Sequence, residues 1–312
     1  MPTPKFIYSC LTLQLILLFS LSCIAFAVNH FVYQFPGNNY FPEGSAGIGL
    51  SLLLMLAGCR LLLNKDHYLL KVIQETLLFY LVMSAIAFAT NSVQFTPFAP
   101  IDSHIISLES RLGISLPVIV AWTNQHPWFK NILGLCYDTL PYQLGFLPLL
   151  VIVSGQFEKI RRFFSLILIS STIGFLIYYF FPTVAPAIMF RTDEFALEQL
   201  ATGIKFNQLH QHIQPDTIQG GMVAFPSFHT FWAWYCLELM RGWPIAYSLL
   251  LVINTLLVLS CVLLGWHYPL DIVGAFLVIW LTNIIYKYMN RCLVFTNIFM
   301  LRPPSNPRGI DP

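Results

Sequence analysis

The sequence predicts an all-α protein, a multi-pass transmembrane helical bundle of about eight spans. Two features of its composition carry this prediction: 57% of the 312 residues are hydrophobic and only 10% are charged. A soluble globular domain carries about 25% charged residues. A chain with so few charges cannot cover a water-facing surface, whereas a membrane span needs only about 20 mostly apolar residues.

Eight apolar segments are separated by polar or proline-containing connections. In chain order they are residues 6–28, 46–63, 70–90, 131–153, 163–182, 226–240, 244–264 and 268–289. Segment 226–240 is short for a span and would need tilt or local bilayer thinning to cross. The first segment follows Lys5 and contains Ala25-Phe26-Ala27, which also resembles a signal-peptide cleavage site. Its apolar run exceeds the roughly 7–15 residues of a signal core, so we expect a retained span.

The distribution of Lys and Arg predicts the orientation of the spans, because cytoplasmic loops carry an excess of these residues. With both termini inside, twelve of the 16 Lys and Arg residues lie on the inner face. The remaining four lie outside: Arg111, Lys130, Arg191 and Lys205. We therefore expect the long connections 91–130 and 183–225 on the outer side of the cell membrane.

Segment 103–125 carries charges among its apolar residues, which is not typical of a span. Four of its apolar residues recur at steps of three and four positions: Ile105, Leu108, Leu112 and Leu116. This spacing predicts helices that lie in the membrane interface with one face in lipid.

Composition also narrows the kinds of partner. A net charge of +2 without a basic run excludes nucleic acid. The sequence contains no glycine-rich nucleotide loop, and its seven cysteines show no C-x-x-C spacing. We interpret the cysteines as small apolar packing residues rather than as a disulfide framework. The sequence accordingly predicts no metal and no cofactor.

Two short motifs place ionisable groups at the start of an apolar segment, where such groups indicate function because they are costly in a membrane. The first is Pro226-Ser227-Phe228-His229, which follows Gly220-Gly221. Pro226 suits the first turn of a helix, and the unpaired N–H groups of that turn attract an anion. Ser227 adds a hydroxyl group, and His229 adds an acid or a base.

The second motif runs from His267 to Asp271 and also opens a segment on the outer side. These two residues are four positions apart, so they share one helical face. A carboxylate beside an imidazole fixes its tautomer and raises its basicity. Together the motifs predict a phosphoryl-transfer site, in which one histidine forms a covalent intermediate and the other protonates the leaving oxygen. The other six histidines are interpreted as headgroup contacts.

These motifs resemble the type 2 phosphatidic acid phosphatase superfamily, in which a P-S-x-H block and an H-x-x-x-D block face each other at the membrane surface. The resemblance implies that His267 is the nucleophile, Asp271 orients it and His229 protonates the leaving group. It also implies a six-helix catalytic membrane domain over residues 96–292. N-terminal spans would then occupy residues 1–95, and a cytoplasmic tail, expected to be disordered, would occupy residues 293–312.

The chain departs from the phosphatase branch of that superfamily. That branch has a K-x-x-x-x-x-x-R-P block, which is absent here, and an S-R pair where this chain has Ser260-Cys261. The block FPSFHT and the stretch from Ile101-Asp102 to Tyr137-Asp138 look closer to the inositol phosphorylceramide synthase branch, an inositolphosphotransferase-like group. That branch transfers headgroups between lipids.

Since the Lys and Arg residues of those two blocks are absent, other cations must bind the phosphate. Arg191 and Lys205 in the outer connection are candidates, with a solvated or headgroup-facing charge as the alternative. Asp138 and Gln143 are candidates for lining the substrate cavity, with a buried polar contact between helices as the alternative. Ser227 and Gly221 complete the predicted substrate-binding residues.

These observations predict an enzyme that cleaves or transfers a phosphate-linked lipid headgroup at the outer membrane face through a phosphohistidine. Its substrate would be a phospholipid or lipid phosphate. Water as acceptor makes it a phosphatase, and a lipid or polyol hydroxyl makes it a phosphotransferase. The alternative is a non-catalytic transporter or scaffold with a decayed site. Transporters carry midplane charges and two related halves, and neither pattern is present in the sequence.

Overall fold

The computed structural model describes residues 4–34, 41, 43–217, 220–221 and 223–300, in which every regular element is a helix. The helices, in chain order, are α1 (Pro4–Phe31), α2 (Ser45–Leu62), α3 (Tyr68–Val93), α4 (Asp102–Arg111), α5 (Leu116–Asn124), α6 (Pro127–Tyr137), α7 (Leu140–Val153), α8 (Phe157–Phe180), α9 (Pro186–Phe190), α10 (Leu197–His210), α11 (Phe228–Leu239), α12 (Pro244–Leu263) and α13 (Pro269–Met300). The predicted all-α membrane bundle is confirmed.

Six of these helices are long and apolar enough to cross a membrane: α1, α2, α3, α8, α12 and α13. Two bent pairs raise the number to eight if each pair is one span: α4 with α5, bent by 80°, and α6 with α7, bent by 41°. The described chain thus has six to eight candidate spans. The predicted segment 226–240 forms α11, whose 12 residues cover only about 18 Å, less than the roughly 30 Å of a hydrocarbon core.

The predicted lipid-facing stripe on segment 103–125 is wrong in part. Leu108 and Leu112 are exposed, but Ile105 and Leu116 are almost fully buried and pack with Tyr268. The physical reason is the turn around Gly113, which has a φ of 75° and lies between two helices bent by 80°. A three-to-four periodicity defines a single face only within one continuous helix.

The core of the bundle is built around α8, which contacts α1, α3, α7, α11 and α13. Most residues of α8 are buried, because neighbouring helices surround it. Small polar residues on α8 allow neighbours to approach; Ser165, for example, accepts a hydrogen bond from Gln14 of α1 at 2.8 Å. The N-terminal helices α1 and α3 therefore pack against α8, which in turn packs against α11 and α13, the helices that carry the motifs.

Opposite ends of the bundle are tied by different contacts. At one end Glu75 of α3 forms a buried ion pair with Arg161 of α8, and Glu238 of α11 pairs with Arg241 at 2.6 Å. At the other end the ring of Tyr33, after α1, stacks on the ring of His212, after α10, with centroids 5.0 Å apart. The connections predicted on the inner side thus lie at one end of the bundle, and those predicted on the outer side lie at the other.

α13 continues through Met300, beyond residue 293, where the tail is predicted to begin. The rest of that tail, residues 301–312, lies outside the described residues. The boundaries predicted at residues 95 and 292 remain predictions.

A labelling experiment tests which end faces out. We expect a membrane-impermeant maleimide, added to intact cells, to modify Gln211→Cys but not Glu158→Cys in a background without the natural cysteines. Both positions are exposed in the structure, so only the membrane distinguishes them, and permeabilised cells should label both. Labelling of position 158 alone in intact cells would reverse the orientation that the positive-inside pattern predicts.

Candidate active site

His267 and Asp271 form a buried pair at the start of α13. His267 lies in the turn between α12 and α13, and its Nδ1 is 3.0 Å from Oδ2 of Asp271. The backbone N–H of Tyr268 donates to the same oxygen at 3.0 Å. The exposed fraction is only 4% for His267 and 0% for Asp271. The carboxylate therefore holds the ring by Nδ1, and Nε2 is the ring nitrogen that does not contact Asp271.

Ser227 caps α11 and connects the two motifs. Its Oγ accepts hydrogen bonds from the backbone N–H and the hydroxyl of Thr230, at 3.4 and 3.1 Å. Its own N–H donates to the carbonyl of Asp271 at 3.2 Å. Pro226 precedes this cap instead of lying in the first turn, which corrects the predicted position, because the Ser227 side chain satisfies the free N–H groups that define the helix start.

His229, in the first turn of α11, is brought against His267. The centroids of the two rings are 5.8 Å apart with an interplanar angle of 62°. The ring of Tyr137, at the end of α6, stacks on His229 at 4.4 Å and on Trp266 at 5.5 Å. Two histidines from motifs far apart in sequence therefore meet beside a stack of aromatic rings that limits where each can move.

Two acidic residues of α4 support the start of α13, and neither was predicted as a site residue. Asp102 accepts a hydrogen bond from the hydroxyl of Tyr268 at 2.9 Å and another from the N–H of Val184 at 3.0 Å. Glu109 accepts from the N–H of Leu270 at 2.9 Å. Both carboxylates are buried. With Ile105 they recur at helical spacing on one face, a signal that could have identified the buried side of α4.

Burial shapes the protonation of two groups outside the spans. Removal from water lowers the pKa of His267 to about 4, so its imidazole is neutral near pH 7, as a nucleophile must be. Burial likewise lowers the pKa of Lys205 to about 8. Lys205 lies on α10, is fully buried, and its Nζ donates to the carbonyl of Gly220 at 3.4 Å. It thus contacts the segment that leads into the first motif.

The other predicted binding residues have different surroundings. Gln143 donates from Nε2 to Oδ1 of Asn254 at 2.7 Å, which is the buried contact between helices that the alternative interpretation describes. Arg191 is exposed, and its Nε donates to the carbonyl of Ile188 at 3.3 Å in its own helix. Asp138 is exposed and lines a separate cavity. Gly221 is exposed and borders Thr202 and Phe206 of α10.

Among the described residues, no group of three or more His, Cys, Asp or Glu side chains could hold a metal ion. The site that these residues do build is a pair of histidines and a carboxylate at the adjoining starts of two helices, inside a membrane bundle.

The fold and the site together define a membrane-embedded helical protein with paired histidine motifs. A family model described as the PAP2 superfamily matches residues 103–285. This is more than half of the chain, and the chain belongs to the PAP2 superfamily. No curated protein and no solved structure matches it. The matched residues contain both motifs and lie within the segment 96–292 predicted as the catalytic domain.

Proposed function

We propose that this protein is a lipid phosphatase or lipid phosphotransferase that works through a phosphohistidine at the outer face of the cell membrane. The observation that carries the proposal is the contact of His267 with Asp271 at 3.0 Å, with the ring of His229 beside it. Family membership supports a lipid phosphate as the substrate class.

In the proposed first step, Nε2 of His267 attacks the phosphorus of the lipid phosphoester. The bond between phosphorus and the leaving oxygen breaks, and His229, whose protonated form the negative charge of the bound phosphate favours, gives that oxygen a proton. Asp271 accepts a hydrogen bond from the Nδ1–H of His267 and stabilises the positive charge that develops on the ring. The protein holds phosphohistidine, and the leaving alcohol departs.

In the proposed second step, an acceptor oxygen attacks the phosphorus and the P–N bond breaks. His229, now neutral, takes the proton of the attacking hydroxyl, which returns both histidines to their starting states. Water as acceptor releases phosphate, and a lipid or polyol hydroxyl yields a new phosphoester. The inositol phosphorylceramide synthase-like branch, favoured by the FPSFHT block, would use a hydroxyl acceptor.

The alternative function is a non-catalytic transporter or scaffold that retains a decayed site. One experiment separates these functions. Purified protein is incubated with a phospholipid labelled on phosphorus, with and without diacylglycerol. Free phosphate indicates a phosphatase, a new labelled phospholipid indicates a transferase, and the absence of both products with every lipid tested would favour the non-catalytic alternative.

The cation that neutralises the phosphate is proposed to be Lys205, with Arg191 as the competing candidate. Lys205 is buried against Gly220, close in sequence to the first motif, whereas Arg191 is exposed and bonded to its own helix. A charge that is shielded from water acts more strongly on a bound phosphate than an exposed one.

We therefore expect Lys205→Met to lower kcat/KM by about 10²-fold, as does removal of a single charge-stabilising donor, and Arg191→Met to lower it less. Because the pKa of Lys205 is about 8, its charge is lost as the pH rises through that value. Wild-type kcat/KM should therefore fall over the same pH range, which forms the alkaline limb of its pH profile. Lys205→Arg should move the limb to higher pH, since a guanidinium stays protonated. An unchanged limb in Lys205→Arg, or a larger loss in Arg191→Met, would exclude Lys205 from this role.

A further inference from the structure

A polar cavity of about 450 Å³ lies beside the paired histidines. We call it the polar cavity, and it is formed by the end of α5, by α6, by the segment before α10 and by the turn after α12. Its polar side chains are Asn124, Lys130, Asn131, Asp138, Glu194 and Gln199. Trp266 also lines it, and the ring of Trp266 stacks on Tyr137, which stacks on His229. Two aromatic rings, those of Trp266 and Tyr137, therefore connect this cavity to His229.

The charges of the polar cavity exclude two classes of ligand. It presents two carboxylates, Asp138 and Glu194, against one cation, Lys130, so a second phosphate would meet net repulsion. An acyl chain would strip water from these charges without offering any hydrogen bond in return, which is unfavourable.

A neutral group with several hydroxyls fits the same lining. Each hydroxyl both donates and accepts hydrogen bonds, so it can donate to a carboxylate and accept from an amide or from Lys130. Trp266 adds an apolar surface for the carbon skeleton of such a group.

The lining is held in place before any ligand arrives. Asn124 donates from Nδ2 to the carbonyl and to Oε2 of Glu194, both at 2.8 Å, and Lys130 donates to Oδ1 of Asn124 at 2.8 Å. Gln199 donates to the carbonyl of Leu264 at 2.7 Å, which ties α10 to the end of α12. Such preorganisation lowers the entropy cost of binding.

We infer that the polar cavity binds a neutral polyhydroxylated group that takes part in the reaction at His267. This inference rests on the proposed function and assigns a pocket and a chemical class to one reactant. The group has two sources: the headgroup of the lipid substrate, or a free polyol that accepts the phosphoryl unit.

Leucine at position 134 tests the pocket, because its side chain enters the polar cavity. A Cβ placed on Gly134 meets no atom within 4 Å, so Gly134→Leu fills space without displacing a neighbour. Gly145→Leu is the matched control: Gly145 also lies inside a helix, its Cβ also meets no atom within 4 Å, and it lies outside the polar cavity. A second test variant is Glu194→Gln, which changes the lining of the polar cavity. Its matched control is Glu198→Gln, four positions away and outside the cavity.

Turnover is measured with full-length protein in lipid nanodiscs. The headgroup arm compares phosphatidylinositol and phosphatidylglycerol with phosphatidic acid, which has no polyol. The acceptor arm adds free glycerol, myo-inositol or glucose to phosphatidic acid. We expect Gly134→Leu to raise the KM of the polyol-bearing reactant by about tenfold relative to phosphatidic acid, as blocked pockets do. Glu194→Gln should shift the same ratio in the same direction, and Gly145→Leu and Glu198→Gln should keep the wild-type ratio.

The arm in which the shift occurs identifies the source of the polyol. Equal ratios in wild type, Gly134→Leu and Glu194→Gln would overturn the inference. Absence of turnover with every substrate would count against the proposed function instead, and binding then tests the pocket alone. Saturation-transfer NMR with the same polyols should give signals with wild type and Gly145→Leu that Gly134→Leu loses; equal signals in all three proteins would overturn the inference.

Discussion

Replacement of His267 by Ala is expected to abolish turnover on every substrate, with a loss of about 10⁴-fold or more, as for other nucleophile deletions. The reason is the proposed covalent route, in which Nε2 of His267 is the nitrogen that takes the phosphoryl group. The variant also leaves Asp271 buried without its imidazole partner, and an uncompensated buried carboxylate destabilises a fold. Loss of activity in this variant alone therefore does not separate chemistry from folding.

His267→Asn makes that separation. The side-chain amide of Asn places a donor near the position of Nδ1, so it keeps the hydrogen bond to Asp271 while removing Nε2. We expect this variant to be as stable as wild type in a thermal melt and still inactive. His104→Ala is the matched control, since His104 is exposed on α4 and should retain wild-type turnover. Substantial activity in a folded His267→Asn protein would rule out His267 as the nucleophile.

Trapping of the intermediate gives a second measurement. After a brief reaction with a substrate labelled on phosphorus, acid-labile and base-stable label should remain on wild-type protein and be absent from both His267 variants. Label that persists in His267→Asn would place the covalent step on another residue.

The spans could be predicted from the sequence because the membrane imposes a length and a composition on each of them. The start of the first motif helix could be located only approximately: Pro226 is typical of a first turn, whereas Ser227 is the cap and α11 begins at Phe228. The four-residue spacing of His267 and Asp271 predicts that both side chains share one helical face, and in the folded chain they lie in contact.

The support around the site could not be predicted in this way. Tyr268 and Asp102 are 166 positions apart, and no local pattern connects residues at that separation. Asp102 and Glu109 lay in a segment interpreted as interfacial, where charges are expected to face water. Only the packing of α4 against the start of α13 reveals that both carboxylates are buried partners of that helix.

The position of Tyr137 is a related case. An aromatic residue near the outer end of a span is ordinarily a membrane-interface residue, so nothing local marks it as a neighbour of His229. Gln143 is a polar residue in a span, which is compatible with a substrate contact or with a contact between helices, and in the folded chain it joins α7 to α12 through Asn254.

His229→Ala is expected to produce a loss that depends on the leaving group, unlike the uniform loss at His267. If His229 only protonates the leaving oxygen, its removal should lower turnover by about 10²–10⁴-fold on an alkyl lipid phosphate, whose alkoxide is a poor leaving group. On p-nitrophenyl phosphate, whose leaving group departs without a proton, most of that loss should disappear. Asp271→Asn should fall between the two histidine variants on both substrates, because the ring remains but its orientation and basicity suffer.

The informative quantity is the ratio of kcat/KM on the two substrates, because misfolding lowers both values alike and leaves their ratio unchanged. His229→Ala also removes the ring that stacks on Tyr137 at 4.4 Å, so a general loss of packing is expected alongside the loss of the acid. Tyr137→Leu provides the matched control: it removes the same stack but keeps the imidazole, and its ratio should equal that of wild type. A wild-type ratio in His229→Ala would mean that His229 binds phosphate or holds structure, and the general acid would have to be another group.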